Sequence, residues 1–127
     1  MPVSSILTVA MSSRRPTHLP PGVLIRWLPR YRGYRVALVD GERIRGNREY
    51  PTLLINFTAG DNAYHSPGLV PRGVIIVDKW QSPLDRRATI KHEADEADLM
   101  ATGMRYGKAH DKVCVKEIHY RRKGARR

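Results

Sequence analysis

The stretch "GVIIVDKWQSPLDRRA", residues 73 to 88, decides the fold class because the hydrophobic pattern changes within it. The run "GVIIVDKW" is short, apolar and rich in β-branched residues, which predicts a strand with at least one buried face. Ser82 then supplies a helix N-cap, Pro83 suits the first helical turn, and Asp85 suits the positive end of the helix dipole. The sequence therefore predicts that a region of strands ends here and a region of helices begins.

Upstream of this stretch, from about Gly22, short apolar runs alternate with turn-forming residues, a pattern typical of strands. Asp40-Gly41, between "YRVALVD" and "ERIRG", predicts a β-hairpin. The run "TLLINFTA" predicts a further strand, and "GDNAYHSPG" predicts a loop. Four aromatic side chains are expected in the core or on a sheet face: Trp27, Tyr34, Phe57 and Trp80.

Downstream of this stretch the hydrophobic period lengthens to about 3.6 residues, which predicts helices. The first helix is expected from about Pro83 to Thr102, with Gly103 as its C-terminal breaker. A second helix is expected from about Tyr106 to Tyr120, ending before Gly124. The predicted fold class is α+β: a small antiparallel or mixed sheet followed by a two-helix hairpin that packs on the sheet and carries the predicted metal site.

The length of 127 residues predicts one domain with one modest core. Residues 1–20 combine turn formers with little to bury, which predicts a loosely ordered N-terminal arm. Residues 21–120 are expected to form the single α+β domain, and residues 121–127 a basic C-terminal tail.

The net charge of +11 is large for this length, and much of the excess lies at the two ends of the chain. Such a charge attracts polyanions non-specifically. A weak nucleic-acid contact is therefore predicted for the basic residues of the tail: Arg121, Arg122, Lys123, Arg126 and Arg127. A solvated tail that aids solubility is the equal alternative, because the sequence carries no recognisable RNA- or DNA-binding motif.

Two further features bear on cellular setting. The apolar runs fall far short of the roughly 20 residues that a membrane-spanning helix needs, so no membrane partner is expected. The single Cys114 cannot form an internal disulfide, so a cytoplasmic setting is expected, with the thiol as a small buried hydrophobe.

Both predicted helices turn a histidine and a carboxylate toward their apolar sides. On the first helix these are His92 and Glu96, and on the second they are His110 and Glu117. Asp95 falls on the outer side of the first helix, within reach of a lysine four residues before it. Burying an unpaired carboxylate costs several kcal/mol, so the inward groups must satisfy one another or hold a cation.

The spacing of the inward groups favours a cation. His92 and Glu96 lie one helical turn apart, and His110 can supply a third ligand from the second helix. Three ligands leave an open position, which is typical of catalytic zinc, and Glu93 could accept a proton from a water there. Glu117 lies about 10.5 Å along an ideal helix from His110, so it is expected to support a ligand or contact the first helix.

The motif "HEADE" resembles the HExxH helix of zincin metallopeptidases, with Glu96 in place of the second histidine. The longer stretch "KHEADEADLMATGMRYGKAHDKVCVKE" is similar to small phage- or prophage-encoded proteins regarded as zincin-like hydrolases, which carry HExxE, a glycine and then Y-x-x-A-H-x-x-A-x-x-x-E. This resemblance implies zinc ligated by His92, Glu96 and His110. It further implies Glu93 as the general base and Tyr106 as a hydrogen-bond donor to the transition state.

Three functions follow as expectations. The first is a zinc-dependent, peptidase-like hydrolase acting on a peptide or protein. The second is a non-catalytic protein, of a virion or another assembly, in which the same residues form a buried network or a structural metal site. The third is a basic nucleic-acid-binding protein. A metal-free enzyme using His110 and Glu93 is a minor alternative, and the other histidines are expected at the surface: His18, His119 and His65, of which only His65 could reach the metal.

Overall fold

The computed structural model describes residues 16–45 and 59–125. These residues form a four-stranded mixed sheet followed by two long helices, so the α+β prediction is confirmed. In chain order the elements are β1 (Leu24–Tyr31), β2 (Tyr34–Val39), the short helix α1 (Gly41–Arg45), β3 (Gly60–Asn62), β4 (Val74–Asp78), α2 (Pro83–Ala101) and α3 (Tyr106–Ala125).

The sheet has the strand order β1-β2-β4-β3. β2 and β4 are parallel, and each pairs on its other side with an antiparallel edge strand. All five residues of β4 are buried, which explains why its sequence is a continuous apolar run rather than an alternating one. The strand predicted for "GVIIVDKW" is therefore confirmed.

The two faces of the sheet are covered by different parts of the chain. On one face α2 packs against paired residues of the central strands, among them Val36, Leu38, Ile75 and Val77. The opposite face is covered by residues before β1, by α1 and by the segment after β3, which contribute Val23, Ile44, Leu69 and Val70. α2 is consequently held by the core, and its inner surface is fixed relative to β3 and β4.

The predicted hairpin at Asp40-Gly41 is wrong. β1 and β2 are joined by Arg32 and Gly33, whose φ angles of 48° and 87° match the backbone that tight hairpin turns require. Asp40 instead starts α1, because its carboxylate accepts the backbone N–H of Glu42 at 3.1 Å. An aspartate before glycine favours both a hairpin turn and a helix start, and in this protein the segment forms a helix.

Several other expectations are corrected. Gly60–Asn62, predicted as loop, forms β3, while "TLLINFTA" up to Thr58, with Phe57, lies outside the described residues. Trp80 is 70% exposed and lies beyond the end of β4, so it is in neither the core nor a strand, whereas Trp27 is 39% exposed and lies on a strand, within the prediction. Trp27 lies on the edge strand β1, with the guanidinium carbon of Arg35 3.9 Å from its ring centre.

The two long helices lie where the sequence predicts them, but the C-terminal end of α3 differs from the prediction. α2 ends at Ala101, just before Gly103 with its φ of 101°, as predicted. α3 starts at Tyr106 as predicted but continues through Gly124 to Ala125, so most of the predicted tail is helical. Within residues 16–45 and 59–125, no helix is both long and apolar enough to cross a membrane.

The end of the predicted N-terminal arm is packed rather than loose. Leu19 contacts the core and Pro20 is buried, while residues 1–15 lie outside the described part. α3 packs on α2 rather than on the sheet, so only one of the two helices lies on the sheet as predicted. The residues of α3 therefore reach the rest of the molecule mainly through α2.

α2 is also tied to the tip of the β1–β2 hairpin. Asp95 bonds both Lys91 Nζ at 2.7 Å and Arg32 Nη1 at 2.6 Å, and it is only 6% exposed. Asp98 accepts further bonds from Arg32 and Tyr34. The predicted Lys91–Asp95 pair forms, but Arg32 covers Asp95, which is not an outward-facing residue.

Candidate metal centre

A cavity of about 290 Å³ lies between α2, α3 and the β3 region. α2 contributes His92, Glu93 and Glu96, and α3 contributes His110. The polar lining also includes Asp61, His65, Tyr106, Cys114, Glu117 and Arg121. The cavity thus contains all of the residues that the sequence singled out for metal binding and catalysis.

The two histidines converge on one oxygen atom. His92 Nε2 lies 3.1 Å from Glu96 Oε2, and His110 Nδ1 lies 3.0 Å from the same oxygen. Ligand atoms of all three residues lie within 4.8 Å of one another, so the group could hold a metal ion. Atoms bound to one tetrahedral zinc at about 2.0–2.2 Å are separated by roughly 3.3–3.6 Å, which is close to the two distances between a histidine nitrogen and Glu96 Oε2.

Glu117 lies behind His92 rather than in the cluster. Its Oε1 is 2.8 Å from His92 Nδ1, and its Oε2 accepts a bond from Arg121 Nε at 2.9 Å. A carboxylate in this position fixes the orientation of an imidazole and leaves its other nitrogen facing the metal. Arg121 also pairs with Asp85 near the start of α2, so Glu117 is itself held in place.

Asn62, at the end of β3, connects the two inward carboxylates of α2. Its amide nitrogen donates to Glu93 Oε1 at 2.9 Å and to Glu96 Oε1 at 3.0 Å. Its oxygen accepts the backbone N–H groups of Tyr64 and His65, each at 3.0 Å, which fixes the direction of the amide. Sequence reasoning missed this residue, because an asparagine in a loop-like segment indicates a turn and not a contact 31 or 34 residues away.

The cavity shifts the pKa values of its acids in opposite directions. Burial, together with the charges of Glu96 and Asp61, raises the pKa of Glu93 to about 8. Burial would also raise the pKa of Glu96, but bonds from His92 and His110 hold it below its ordinary value. Glu93 can therefore exchange a proton near neutral pH, while Glu96 stays ionised.

His92 is affected by the same carboxylates. Burial alone would lower its pKa, but the hydrogen bond that His92 donates to Glu96 and the negative charges of Glu93, Glu96 and Glu117 raise that pKa to about 9. Without a cation in the cavity, His92 is protonated at neutral pH. Its two N–H groups then donate to Glu96 and Glu117.

Tyr106 stands between two imidazole rings. Its ring stacks on His65 at 3.9 Å between centres, and its hydroxyl lies 3.4 Å from His110 Nδ1. Burial and the charges of Glu96 and Glu93 raise the pKa of Tyr106 to about 12, so the phenol keeps its proton and can donate it in a hydrogen bond.

The remaining histidines and the cysteine lie in different environments. His65 is half-buried in the cavity wall rather than at the surface, and its Nδ1 pairs with Asp61 at 3.0 Å instead of reaching the cluster. His18 and His119 are exposed, as predicted. Cys114 lines the cavity 3.4 Å from His110 Nε2 and is partly exposed, so the prediction of a fully buried hydrophobe is wrong.

The basic residues predicted to contact nucleic acid do not share one environment. Arg121 is occupied by Glu117 and Asp85, so it is part of the support for the cavity. Arg122 and Lys123 are exposed on the last turns of α3, and Arg126 and Arg127 lie outside the described residues.

Comparison of the chain with known protein families, with curated proteins and with solved structures finds no match.

Proposed function

We propose that the protein is a zinc-dependent hydrolase that acts on peptide bonds. The observation that carries this proposal is the convergence of His92 Nε2 and His110 Nδ1 on one oxygen of Glu96, at 3.1 and 3.0 Å, in the wall of an open cavity. Two imidazoles and one carboxylate form the ligand set of several catalytic zinc sites and leave a position free for a reactant.

The residues around the cluster fit roles in hydrolysis. A bound zinc ion would polarise a carbonyl group and lower the pKa of water in the cavity. Glu93 lies beside the ligands on α2, and its pKa of about 8 suits a group that accepts a proton and returns it to the leaving amine. A cation in the cavity would lower that pKa and favour the ionised form.

Other side chains would orient these groups. Asn62 holds one oxygen of Glu93 and one of Glu96, and Glu117 holds the ring of His92. Tyr106 can donate a hydrogen bond to the negative charge that develops on the carbonyl oxygen. Of these roles, only that of Tyr106 is also implied by the resemblance to zincin-like proteins.

The second candidate is a non-catalytic protein, such as a component of a virion or another assembly. It is favoured by the bonding of the cluster, in which His92, Glu96, His110 and Glu117 satisfy one another without an ion. In that case the cluster fastens α3 to α2 and catalyses no reaction.

Metal content separates the two candidates first. We expect about one zinc per chain in the untagged protein by elemental analysis after dialysis, and loss of that zinc in His92→Ala, because one of three ligands is removed. The matched control is His119→Ala, which removes an exposed histidine of α3 outside the cluster and should keep the metal. A folded protein that takes up no zinc when zinc is supplied contradicts the proposal.

Activity then tests the role of Glu93. Glu93→Gln should keep the bound zinc and the melting temperature but reduce zinc-dependent hydrolysis of an unstructured protein substrate by at least about a hundredfold, because the proton acceptor is gone. If the variant retains its full activity, Glu93 is not the general base. If the protein binds zinc but hydrolyses no peptide, the structural candidate is favoured.

A further inference from the structure

α3 carries more positive charge than its own acidic residues can balance. Its 20 residues include six lysines and arginines and only two acidic residues, Asp111 and Glu117. Glu117 is already bonded to His92 and Arg121 in the metal cavity. The outer surface of the helix is therefore left with an excess of cations.

Several of these cations line a groove along the contact between α2 and α3. The groove has a volume of about 620 Å³, and a smaller cavity of about 110 Å³ adjoins it and shares Tyr120 and Lys123. We call this surface the basic seam. Its basic and aromatic residues are Arg87 and Lys91 on α2 and Lys116, His119, Tyr120, Arg122 and Lys123 on α3.

The basic seam is separate from the metal cavity. Lys116, Tyr120 and Lys123 follow one another at spacings of four and three residues, so they lie on one face of α3. His110 and Glu117, which line the metal cavity, lie on another face of the same helix. An occupant of the basic seam would thus leave the metal site open.

The cations of α3 in the basic seam have no carboxylate of their own. Among residues 16–45 and 59–125, Lys116, Arg122 and Lys123 form no ion pair, whereas Lys91 is paired with Asp95 at 2.7 Å. Lys116 and Lys123 are about 10.5 Å apart along the helix, with Tyr120 between them. Unpaired cations arranged along a groove are the electrostatic footprint of a polyanion.

We propose that the basic seam binds single-stranded nucleic acid. Lys116, Arg122 and Lys123 contact phosphates, and Tyr120 provides a ring on which one base stacks. The aromatic ring within the row of cations favours nucleic acid, because every base offers a flat face for stacking and aspartate and glutamate side chains do not. This inference is independent of the proposed hydrolase activity. It places the contact on a groove between two helices that includes Arg122 and Lys123 of the predicted tail.

The test is fluorescence anisotropy with a labelled 20-nucleotide single strand of mixed sequence. The double variant Lys116→Glu/Lys123→Glu should bind at least about tenfold more weakly than the unchanged protein in 50 mM salt. The matched control is Lys108→Glu/Lys112→Glu, which changes the net charge equally on the same helix but outside the basic seam. The control should stay within about threefold of the unchanged protein.

Equal losses in the two double variants would overturn the proposal, because net charge alone would then explain binding. Tyr120→Leu provides an arm that changes no charge and should weaken binding about fivefold or more through lost stacking. If polyglutamate of equal total charge competes as well as an unlabelled single strand, the occupant is an acidic polypeptide and the proposal fails. Melting temperature and zinc content, measured on every variant, confirm that the fold is kept.

Removing two phosphate contacts also predicts a change in salt dependence. For single strands, each contact contributes about 0.7 to the slope of log affinity against log salt. Lys116→Glu/Lys123→Glu should therefore flatten the slope by about 1.4 or more, and an unchanged slope would show that these two lysines do not touch phosphates.

Discussion

At the scale of single residues, Asn62 decides how the two inward carboxylates of α2 are arranged. The residue is fully buried and uses both N–H bonds of its amide on carboxylates, while its oxygen is occupied by two backbone groups. No other side chain with this shape offers two donors and one acceptor at the same positions. Glu93 and Glu96 can therefore lie close together, because each has one carboxylate oxygen that accepts a hydrogen bond from Asn62.

Exchanging the amide of Asn62 for a carboxylate tests this arrangement. Asn62→Asp has the same shape but turns an oxygen toward Glu93 and Glu96, so we expect a loss of about 2–4 kcal/mol in the free energy of unfolding at pH 7. Urea unfolding of the zinc-free protein measures it. Asp111→Asn, the reverse exchange at an exposed position of α3, should change stability by less than about 0.5 kcal/mol. A similar small change in Asn62→Asp would show that the amide does not bridge the two carboxylates.

At the scale of secondary structure elements, α2 is fixed on two sides. Its inner side packs on the sheet, and β3 can approach it closely because residue 60 is glycine: a Cβ there would lie 2.6 Å from Thr89 Cγ2 and 2.9 Å from the backbone oxygen of Ile76. Its outer side is tied to the β1–β2 hairpin through Arg32 and Asp95. His92 and Glu96 are thus carried by an element that is held from two sides.

The tie between the hairpin and α2 should be measurable as a coupling. A double-mutant cycle of Arg32→Met and Asp95→Asn is expected to give an interaction of about 1 kcal/mol in urea unfolding, because Asp95 is buried under the guanidinium. The control cycle uses Arg43→Met and Asp40→Asn, whose atoms lie 3.6 Å apart with Arg43 largely exposed. That cycle should give less than about 0.3 kcal/mol. Equal couplings would mean that Arg32 does not fasten the hairpin.

The elements show which predictions a sequence can support. Both helices and β4 were predicted because Ser82, Pro83 and Gly103 act locally and because apolar periodicity extends over many residues. The hairpin was misplaced because Asp40 satisfies either of two local structures, and only packing of α1 under the sheet chooses between them. β3 has three residues, too few for a pattern, so its identity depends on pairing with β4.

At the scale of the whole molecule, the charges are sorted by location. Acidic side chains cluster in and around the metal cavity, where Asp61, Glu93, Glu96 and Glu117 all line its wall. Many basic side chains remain outside, some of them on the basic seam, within a chain of net charge +11. A His-Glu-His group that could hold a metal ion therefore lies apart from the basic seam on the same molecule.

The candidate site could be predicted only in part, because some of its residues come together only in the folded chain. His92, Glu96 and His110 follow from helical spacing, since two lie one turn apart and the third lies on the next helix. His65 and Cys114 line the cavity only because the tertiary fold brings the β3 region and α3 together, and Asn62 reaches Glu93 and Glu96 for the same reason. Spacing along one chain carries no information about such contacts.

The packing of α3 on α2 alone has a consequence for how the cavity opens. Among the α3 residues whose burial the structure describes, only Ala109 and Val113 are fully buried hydrophobic side chains, so local opening of α3 would leave the sheet covered. Such a detachment would remove His110, Glu117 and Tyr106 from the cavity together while α2 kept His92 and Glu96 in place. The lifetime of a bound ion would then follow the local opening rate of one helix rather than the rate at which the whole chain unfolds.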